Sequence, residues 1–353
     1  MPNVSITSAC NRACSYCFAR DTLTGYGADR AMTLEIFAAV LAYLQRSGIN
    51  EIRLLGGEPT LHPQFAALMD MILATGLRPI VFSNGLMPPQ ALNRLRAIEP
   101  GRLRVMVNAS ALIEGEPALV DQVRQTLRLL GRRAMLGVNL HTRQPRLDRL
   151  LDTIATLDLI PRLRLGLAHP TLAGSNLSLA AKAYRQVGRN ISAIARAAAD
   201  RGIVLSLDCG FVPCMFAHES LPSLDVAVSD CGRRCNPLPD ILPDGRAIAC
   251  YPLADLGAVA LDQTVTAVTI RRHFQGVLAP YAALGIFPEC SACELFRDRR
   301  CLGGCRAAAL RRLVPASRPF VLEAQQGWRE RMRAEVPVAF ACANHRMGAG
   351  RSR

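Results

Sequence analysis

The sequence predicts an α/β fold, a parallel sheet crossed by helices, followed by a smaller irregular region rich in cysteine. Three observations predict it. Strand-like and helix-like segments alternate through roughly the first 200 of 353 residues. From about Ile203 onward, prolines, cysteines and irregular stretches take over. Ten of the thirteen cysteines stand from Cys209 onward, and none lies between Cys17 and Cys209.

Taken in order, Val4-Ser5-Ile6-Thr7 reads as a first strand that delivers Cys10. Thr33 is placed to cap a helix whose Leu34, Phe37, Leu41 and Leu44 share a face, and Gly48 ends it. Ile52 to Leu55 is a second strand, and a helix follows over Gln64 to Thr75. Pro79 to Phe82, Leu103 to Val107, Ala134 to Leu140 and Leu163 to Leu167 are strands three to six. An alanine-rich helix runs from about Leu179 to Arg201. Six β/α units in order imply a parallel sheet, because parallel neighbours need a helical crossover. In barrels of this kind chemistry sits at the C-terminal strand ends. Cys10, Glu58, Asn84, Asn108, Asn139 and His169 all follow or end strands.

Composition narrows the class. Half the chain is apolar, yet no apolar run approaches 18 residues, so no membrane span is predicted. The first residues lack a basic segment and a long apolar stretch, which argues against a secretory signal. The expected location is cytoplasmic, where cysteines ligate metal more often than they pair. The formal charge is +14, but 41 of the 42 basic residues are scattered arginines, with Lys182 the one lysine. No aromatic-interleaved basic stripe is present, so nucleic acid is not an expected partner. An acidic peptide or nucleotide is compatible with the charge.

The sharpest local signal is Cys10-Asn-Arg-Ala-Cys14-Ser-Tyr-Cys17-Phe18, a C-x3-C-x2-C spacing. Three such thiolates suit three irons of a [4Fe–4S] cube and leave the fourth iron open. The bland alternative is a zinc site or a disulfide, although zinc sites usually show paired C-x2-C knuckles. Gly56-Gly57-Glu58-Pro59 follows about 40 residues later, directly after the second strand. The two motifs together resemble the radical S-adenosylmethionine (SAM) superfamily.

The last part carries a second pattern: Cys235, nine residues, Gly245, four residues, Cys250; then Cys290-x2-Cys293-x7-Cys301-x3-Cys305; then Cys342. This resembles the SPASM domain of radical SAM enzymes, although the family's middle interval is usually five. The resemblances imply a partial (β/α)6 TIM-like barrel over residues 1–204, a SPASM domain over 205–347 and a flexible tail over 348–353.

They also imply three [4Fe–4S] clusters and bound SAM. Cys10, Cys14 and Cys17 would hold the SAM cluster. Cys235, Cys250 and Cys305 would hold auxiliary cluster I. Its fourth ligand is best matched by Cys231, with Cys214 and then Cys209 as competitors, or is left open. Cys290, Cys293, Cys301 and Cys342 would hold auxiliary cluster II; the alternative is a zinc knuckle of Cys290, Cys293, Cys301 and Cys305. Gly56, Gly57 and Glu58, with Pro59 closing the motif, would bind the SAM amino group. Tyr16 and Phe18 would pack around cluster and adenine, or else form barrel core. Ser83 and Asn84 look like the family's polar strand end near SAM. Asn108, Ser110 and Asn139 are candidates for ribose or carboxylate contacts, with an ordinary strand-end turn as the alternative.

Asp208, Tyr251 and His141 are weak acid–base candidates, with His169 beside them. Sulfatase-maturing relatives carry an aspartate after the cysteine matching Cys250. Tyr251 stands there instead, which weakens a formylglycine-forming assignment.

The implied activity is reductive cleavage of SAM to a 5′-deoxyadenosyl radical and oxidative modification of a substrate. The first expectation is a ribosomally made peptide receiving a thioether, C–C or C–O crosslink. The alternative is a sugar, aminocyclitol or nucleoside, dehydrogenated or epimerised. A non-catalytic iron–sulfur or zinc protein is a third reading, which Gly-Gly-Glu-Pro argues against. Expected partners are the substrate and an electron donor such as flavodoxin or ferredoxin. A separate leader-binding protein is also expected for a peptide, since strand one begins at about Val4.

Overall fold

A computed structural model describes residues 2–27, 30–216 and 239–313. The N-terminal strands are β1 (Asn3–Ser5), β2 (Glu51–Leu55), β3 (Arg78–Ser83), β4 (Arg104–Asn108), β5 (Ala134–Leu140), β6 (Arg162–Leu167) and β7 (Val204–Leu207). Between them run helices α1 (Arg20–Thr24), α2 (Leu34–Arg46), α3 (Phe65–Ala74), α4 (Pro89–Arg96), α5 (Ser110–Glu114), α6 (Pro117–Leu130), α7 (Asp148–Thr156) and α8 (Tyr184–Ala199). Three two-residue strands follow: β8 (Asp240–Ile241), β9 (Ala247–Ile248) and β10 (Ala258–Val259). The last helices among the described residues are α9 (Ala267–Leu278), α10 (Glu294–Arg297) and α11 (Arg306–Arg311).

The ten strands of the described residues form one sheet, in the order β10-β9-β8-β1-β2-β3-β4-β5-β6-β7. The pairs from β8 through β1 to β7 are parallel, and β8-β9-β10 turn back antiparallel. The six strands read from the sequence are therefore present, and a seventh extends the run. The division expected at residue 204/205 falls at the start of β7. Beyond it, β8 rejoins the sheet beside β1 with Asn3 opposite Asp240. Two-residue strands show no alternation in sequence, so only the fold reveals this continuation.

The elements follow from local chemistry. Thr33 Oγ1 accepts from Ile36 N at 3.3 Å and starts α2. Phe37, Val40, Leu41 and Leu44 line its buried face, each worth about 1.5–3 kcal/mol in burial. Gly48 ends the segment at φ +66°, a conformation that suits glycine. In β2 the alternation is plain: Ile52 and Leu54 are fully buried, while Glu51, Arg53 and Leu55 are half-buried on the other face.

That other face is concave. The Arg53 guanidinium lies 6.0 Å from the Phe82 ring and the Arg164 guanidinium 5.9 Å from the same ring. Phe82 is on β3 and Arg164 on β6, three strands apart. In a flat sheet that is about 14 Å at roughly 4.8 Å per strand. The sheet therefore curls far enough for both cations to meet one ring. Among the described residues no helix is long and apolar enough to cross a membrane.

Candidate active site

The segment from Thr7 to Phe18 passes the C-terminal ends of β2 to β6, and each of these ends ties it down. At β2, Gly57 N donates to Thr7 O at 2.9 Å and Glu58 N to Ala9 O at 2.7 Å. A Cβ on Gly57 would stand 2.2 Å from Ala9 O, and one on Gly56 would stand 2.4 Å from Thr7 O. Only glycine permits this approach. At β3, Asn84 Nδ2 donates to Asn11 Oδ1 at 2.8 Å, and Asn11 Nδ2 donates to Leu86 O at 2.9 Å. At β4, Asn108 Nδ2 faces the Tyr16 hydroxyl at 3.4 Å, and Arg12 donates to Ser110 Oγ at 3.2 Å. At β5, Tyr16 stacks on His141 with ring centroids 4.7 Å apart. His141 in turn meets the Asn139 carbonyl through Nδ1 at 3.3 Å and Glu114 through Nε2 at 3.4 Å. After β6, Leu177 N donates to Ser15 O at 2.9 Å and Asn176 Nδ2 to Tyr16 O at 3.2 Å.

Cys10, Cys14 and Cys17 are all free, with Cys10 exposed and the other two half-buried. Burial pushes the Cys10 thiol up, and the charges of Glu58, Cys17 and Cys14 push the same way. Burial also pushes Cys17 up, with Cys14 adding to it. Three thiols thus sit within mutual electrostatic reach. Bound iron removes that repulsion by taking thiolates as ligands. The donor set, held by a glycine cradle that a Cβ would fill, fits a [4Fe–4S] cube. Among the described residues no three His, Cys, Asp or Glu converge closely enough for a single ion. A cube asks for no such convergence, since each thiolate takes its own iron.

The structure places Glu58 inward. It is fully buried, and its carboxylate accepts from Thr60 N at 3.3 Å, Thr60 Oγ1 at 2.6 Å and Asn84 N at 2.7 Å. It bridges the ends of β2 and β3. Pro59 starts the 3-10 turn that carries Thr60. Ser83 Oγ accepts from Gly85 N at 3.0 Å, and Asn108 Oδ1 accepts from Ser110 N at 3.1 Å. These strand-end residues therefore build the turns that hold the cysteine loop. Tyr16 is pushed up to about 12 by burial and by the neighbouring Cys14.

Phe18 leaves the loop for a separate apolar cluster of Ala19, Leu23, Leu242, Ile248 and Tyr251. Tyr251 is 2% exposed, its hydroxyl pairs with Ser5 Oγ, and burial pushes it up. Tyr251, expected as an acid–base candidate, is here a core residue joining β1 to the segment after β9. Asp208 pairs with Arg164 on the concave face. Burial first, then Arg53, pushes Arg164 down to about 10. Sequence reasoning passed over Arg53, Phe82 and Arg164. Their signal was present: single arginines interrupt the apolar strands Ile52-Arg53-Leu54 and Leu163-Arg164-Leu165.

Of the later cysteines, Cys209, Cys214 and Cys305 all lie within electrostatic reach of the buried Tyr184. His169 Nε2 lies 3.2 Å from Cys209 O and 3.7 Å from Cys209 Sγ. Burial favours neutral His169, but Cys305 and Cys209 outweigh it and hold the imidazole well above its usual range. Cys305 is correspondingly lowered by His169 against the effect of burial. Burial pushes the Cys214 thiol up, and Cys301, Cys290 and Cys293 act in the same direction. Cys250 is half-buried after β9, at the start of the 3-10 turn Tyr251–Leu256. Cys231, Cys235 and Cys342 lie outside the described residues.

Comparison with known proteins gives three findings. Residues 4–111 match the profile of the Radical SAM superfamily. Over 96 residues the chain is 34% identical to an S-adenosylmethionine-dependent nucleotide dehydratase of Selenomonas ruminantium, covering 25% of this chain and 33% of that one. It is 32% identical over 96 residues to a GTP 3′,8-cyclase of Chlorobaculum tepidum, covering 26% and 28%. The match thus spans a third or less of these relatives' length. In structure, SuiB of Streptococcus suis bound to S-adenosylmethionine superposes with a TM-score of 0.63 at 13% identity, over 86% of this chain and 72% of that one. Native anSMEcpe with bound AdoMet and a peptide superposes at 0.59 and 17% identity, over 87% and 90%.

Proposed function

The chain belongs to the radical SAM superfamily, and from that premise we propose that it cleaves SAM reductively and uses the resulting radical to oxidise a peptide substrate. One observation carries the cofactor half: the three free thiols of the Cys10–Cys17 loop follow directly on the Thr7–Ala9 backbone that packs against Gly56 and Gly57. When bound, the cluster and SAM supply a 5′-deoxyadenosyl radical able to abstract hydrogen from carbon.

The residues of this chain hold and shield that chemistry. Cys10, Cys14 and Cys17 would hold three irons of the cluster, and the fourth would be open to the SAM amino and carboxylate groups. The Gly56-Gly57 edge offers backbone to the amino group, while Glu58 keeps that edge in register with Asn84. Tyr16 on His141 stiffens the loop, so the geometry survives substrate exchange. Asp208 and Arg164 on the concave face sit where a substrate would enter the curled sheet.

The peptide reading is supported by a fold that follows SuiB and anSMEcpe over most of the chain; structures of both include bound peptides. The second reading is a nucleotide or related small molecule. It is favoured by the sequence relatives that act on nucleotides and by Arg53 and Arg164 on the concave face. Two auxiliary clusters, held by the later cysteines, would take up the electron left on the substrate; the reductant would be a flavodoxin or ferredoxin.

The test is anaerobic. The reconstituted chain is given SAM and dithionite, and 5′-deoxyadenosine is quantified with and without candidate peptides or nucleoside triphosphates. The expected result is SAM-dependent 5′-deoxyadenosine in the parent and none with Cys14→Ala, with turnover raised by peptide. Stimulation by the nucleotide alone would select the second reading. Absence of 5′-deoxyadenosine from iron-loaded protein would overturn both.

A further inference from the structure

The cysteine loop does not account for the net charge of +14, and one place gathers positive charge around open space. A cavity of about 420 Å³ lies between the loop after β5 and the start of α8, lined by Arg143, Gln144, Lys182, Ala183 and Gln186. Two of these five residues are cations and none is acidic. Ala183 is buried, while Arg143, Gln144 and Lys182 are exposed.

Hydrogen bonds fix the two walls against each other. Asn190 Nδ2 on α8 donates to Arg143 O at 2.7 Å, which ties the loop to the helix. Gln186 Nε2 donates to Asn190 Oδ1 at 3.2 Å, and Arg189 donates to Gln186 Oε1. The cations themselves are left over. Arg132 pairs with Asp158 and Arg201 with Asp152, but among the described residues neither Arg143 nor Lys182 forms an ion pair. Arg185 and Arg189, exposed and four residues apart on α8, add to the same field. Arg143 stands two residues past His141, whose ring stacks on Tyr16 of the cysteine loop at 4.7 Å. Two residues span at most about 7 Å. A peptide seated in the cavity therefore has residues a few positions on within reach of the cysteine loop.

We propose that this cavity is a docking subsite for an acidic stretch of the peptide substrate, with Arg143 and Lys182 meeting its carboxylates and Gln144 its backbone. The proposal rests on the peptide reading above and adds the charge that the peptide carries. A nucleotide fits the cavity less well. None of the five lining side chains is aromatic, so nothing there stacks a base.

The test uses the full chain, reconstituted anaerobically, and a fluorescein-labelled peptide of alternating Glu and Gly. A peptide of alternating Gln and Gly is the neutral probe. Binding is read by fluorescence anisotropy at low and high salt. The parent is expected to prefer the Glu peptide and to lose that preference at high salt. Arg143→Ala/Lys182→Ala is expected to weaken Glu-peptide binding about tenfold. Arg143→Lys/Lys182→Arg, which keeps both charges, is expected to retain it. Arg124→Ala/Arg128→Ala, at exposed positions of α6, removes the same net charge and is expected to change binding less than about twofold. Equal weakening in the two alanine variants would overturn the subsite, since net charge alone would then act. So would a parent with no preference for the Glu peptide. ATP binding more tightly than the Glu peptide, and lost in Arg143→Ala/Lys182→Ala, would overturn it in favour of nucleotide phosphates. Peptides that raise 5′-deoxyadenosine formation separate this claim from the reading beneath it. With such a peptide, Arg143→Ala/Lys182→Ala is expected to raise KM more than it lowers kcat. An unchanged KM would overturn the subsite and leave the peptide reading standing. Stimulation by nucleotides and by no peptide would overturn both.

Discussion

Asp240 shows what one buried residue contributes on the edge of this sheet. It is 3% exposed, accepts from Asn3 Nδ2 at 2.6 Å and from Tyr251 N at 3.0 Å, and so ties β8 both to β1 and to the turn after β9. Burial is the main cause that pushes its carboxyl up, to about 7. The folded chain therefore keeps a proton that the unfolded chain releases near pH 3.9. Between those values the native state binds more protons, so stability falls as pH rises, and it levels off above about pH 7. Asp240→Asn should remove that slope. Urea unfolding at pH 5 and pH 8 is expected to show the parent losing stability across the interval while the variant changes less. Equal changes in both would contradict the assignment of the slope to Asp240. Glu58 is buried in the same way, but its three donors fix it as the bridge between β2 and β3. The sequence marked Glu58 by its motif; that its carboxylate faces the protein is a matter of packing that the motif does not encode.

At the scale of elements, the site depends on how closely the end of β2 passes the cysteine loop. Gly57→Ala places a methyl group 2.2 Å from Ala9 O, against backbone that has no rotamer to yield. Overpacking of this kind costs about 1–3 kcal/mol, and here it also shifts Cys10. The variant is expected to melt earlier and to bind less iron after reconstitution. Gly101→Ala, with nothing within 4 Å and no positive φ, is the matched control and should stay within about 0.5 kcal/mol of the parent. Equal iron in both variants would show that the close approach does not position the cysteines. Strands β2 to β6 and helix α2 were legible because apolar runs, a Thr33 cap and a Gly48 stop each leave a local signature. β8, β9 and β10 were not, because two residues carry no period, and what joins them to the sheet is the pairing of β8 with β1, more than 200 residues away in sequence.

Across the molecule, the sequence revealed the kinds of atoms used, while the fold shows their grouping. Spacing identified Cys10, Cys14 and Cys17 as one set, since Cys10 and Cys17 stand only seven positions apart in the chain. It left the fourth ligand of auxiliary cluster I open among Cys231, Cys214 and Cys209. Cys231 lies outside the described residues, and the surroundings of Cys209 and Cys214 are set by the turn after β7, which no interval in the chain records. The lumen cations were missed for a related reason. Arg53 and Arg164 become neighbours only because the sheet curls around Phe82. On the function proposed, the Cys10–Cys17 loop would hold an iron–sulfur cluster with one iron open to SAM. Iron content and the EPR of dithionite-reduced protein, with and without SAM, test it most directly. The account predicts a SAM-induced change of signal in the parent. In Cys10/Cys14/Cys17→Ala it predicts about four fewer irons per chain and no response to SAM. Unchanged iron in that variant, or a SAM response that survives in it, would contradict the account.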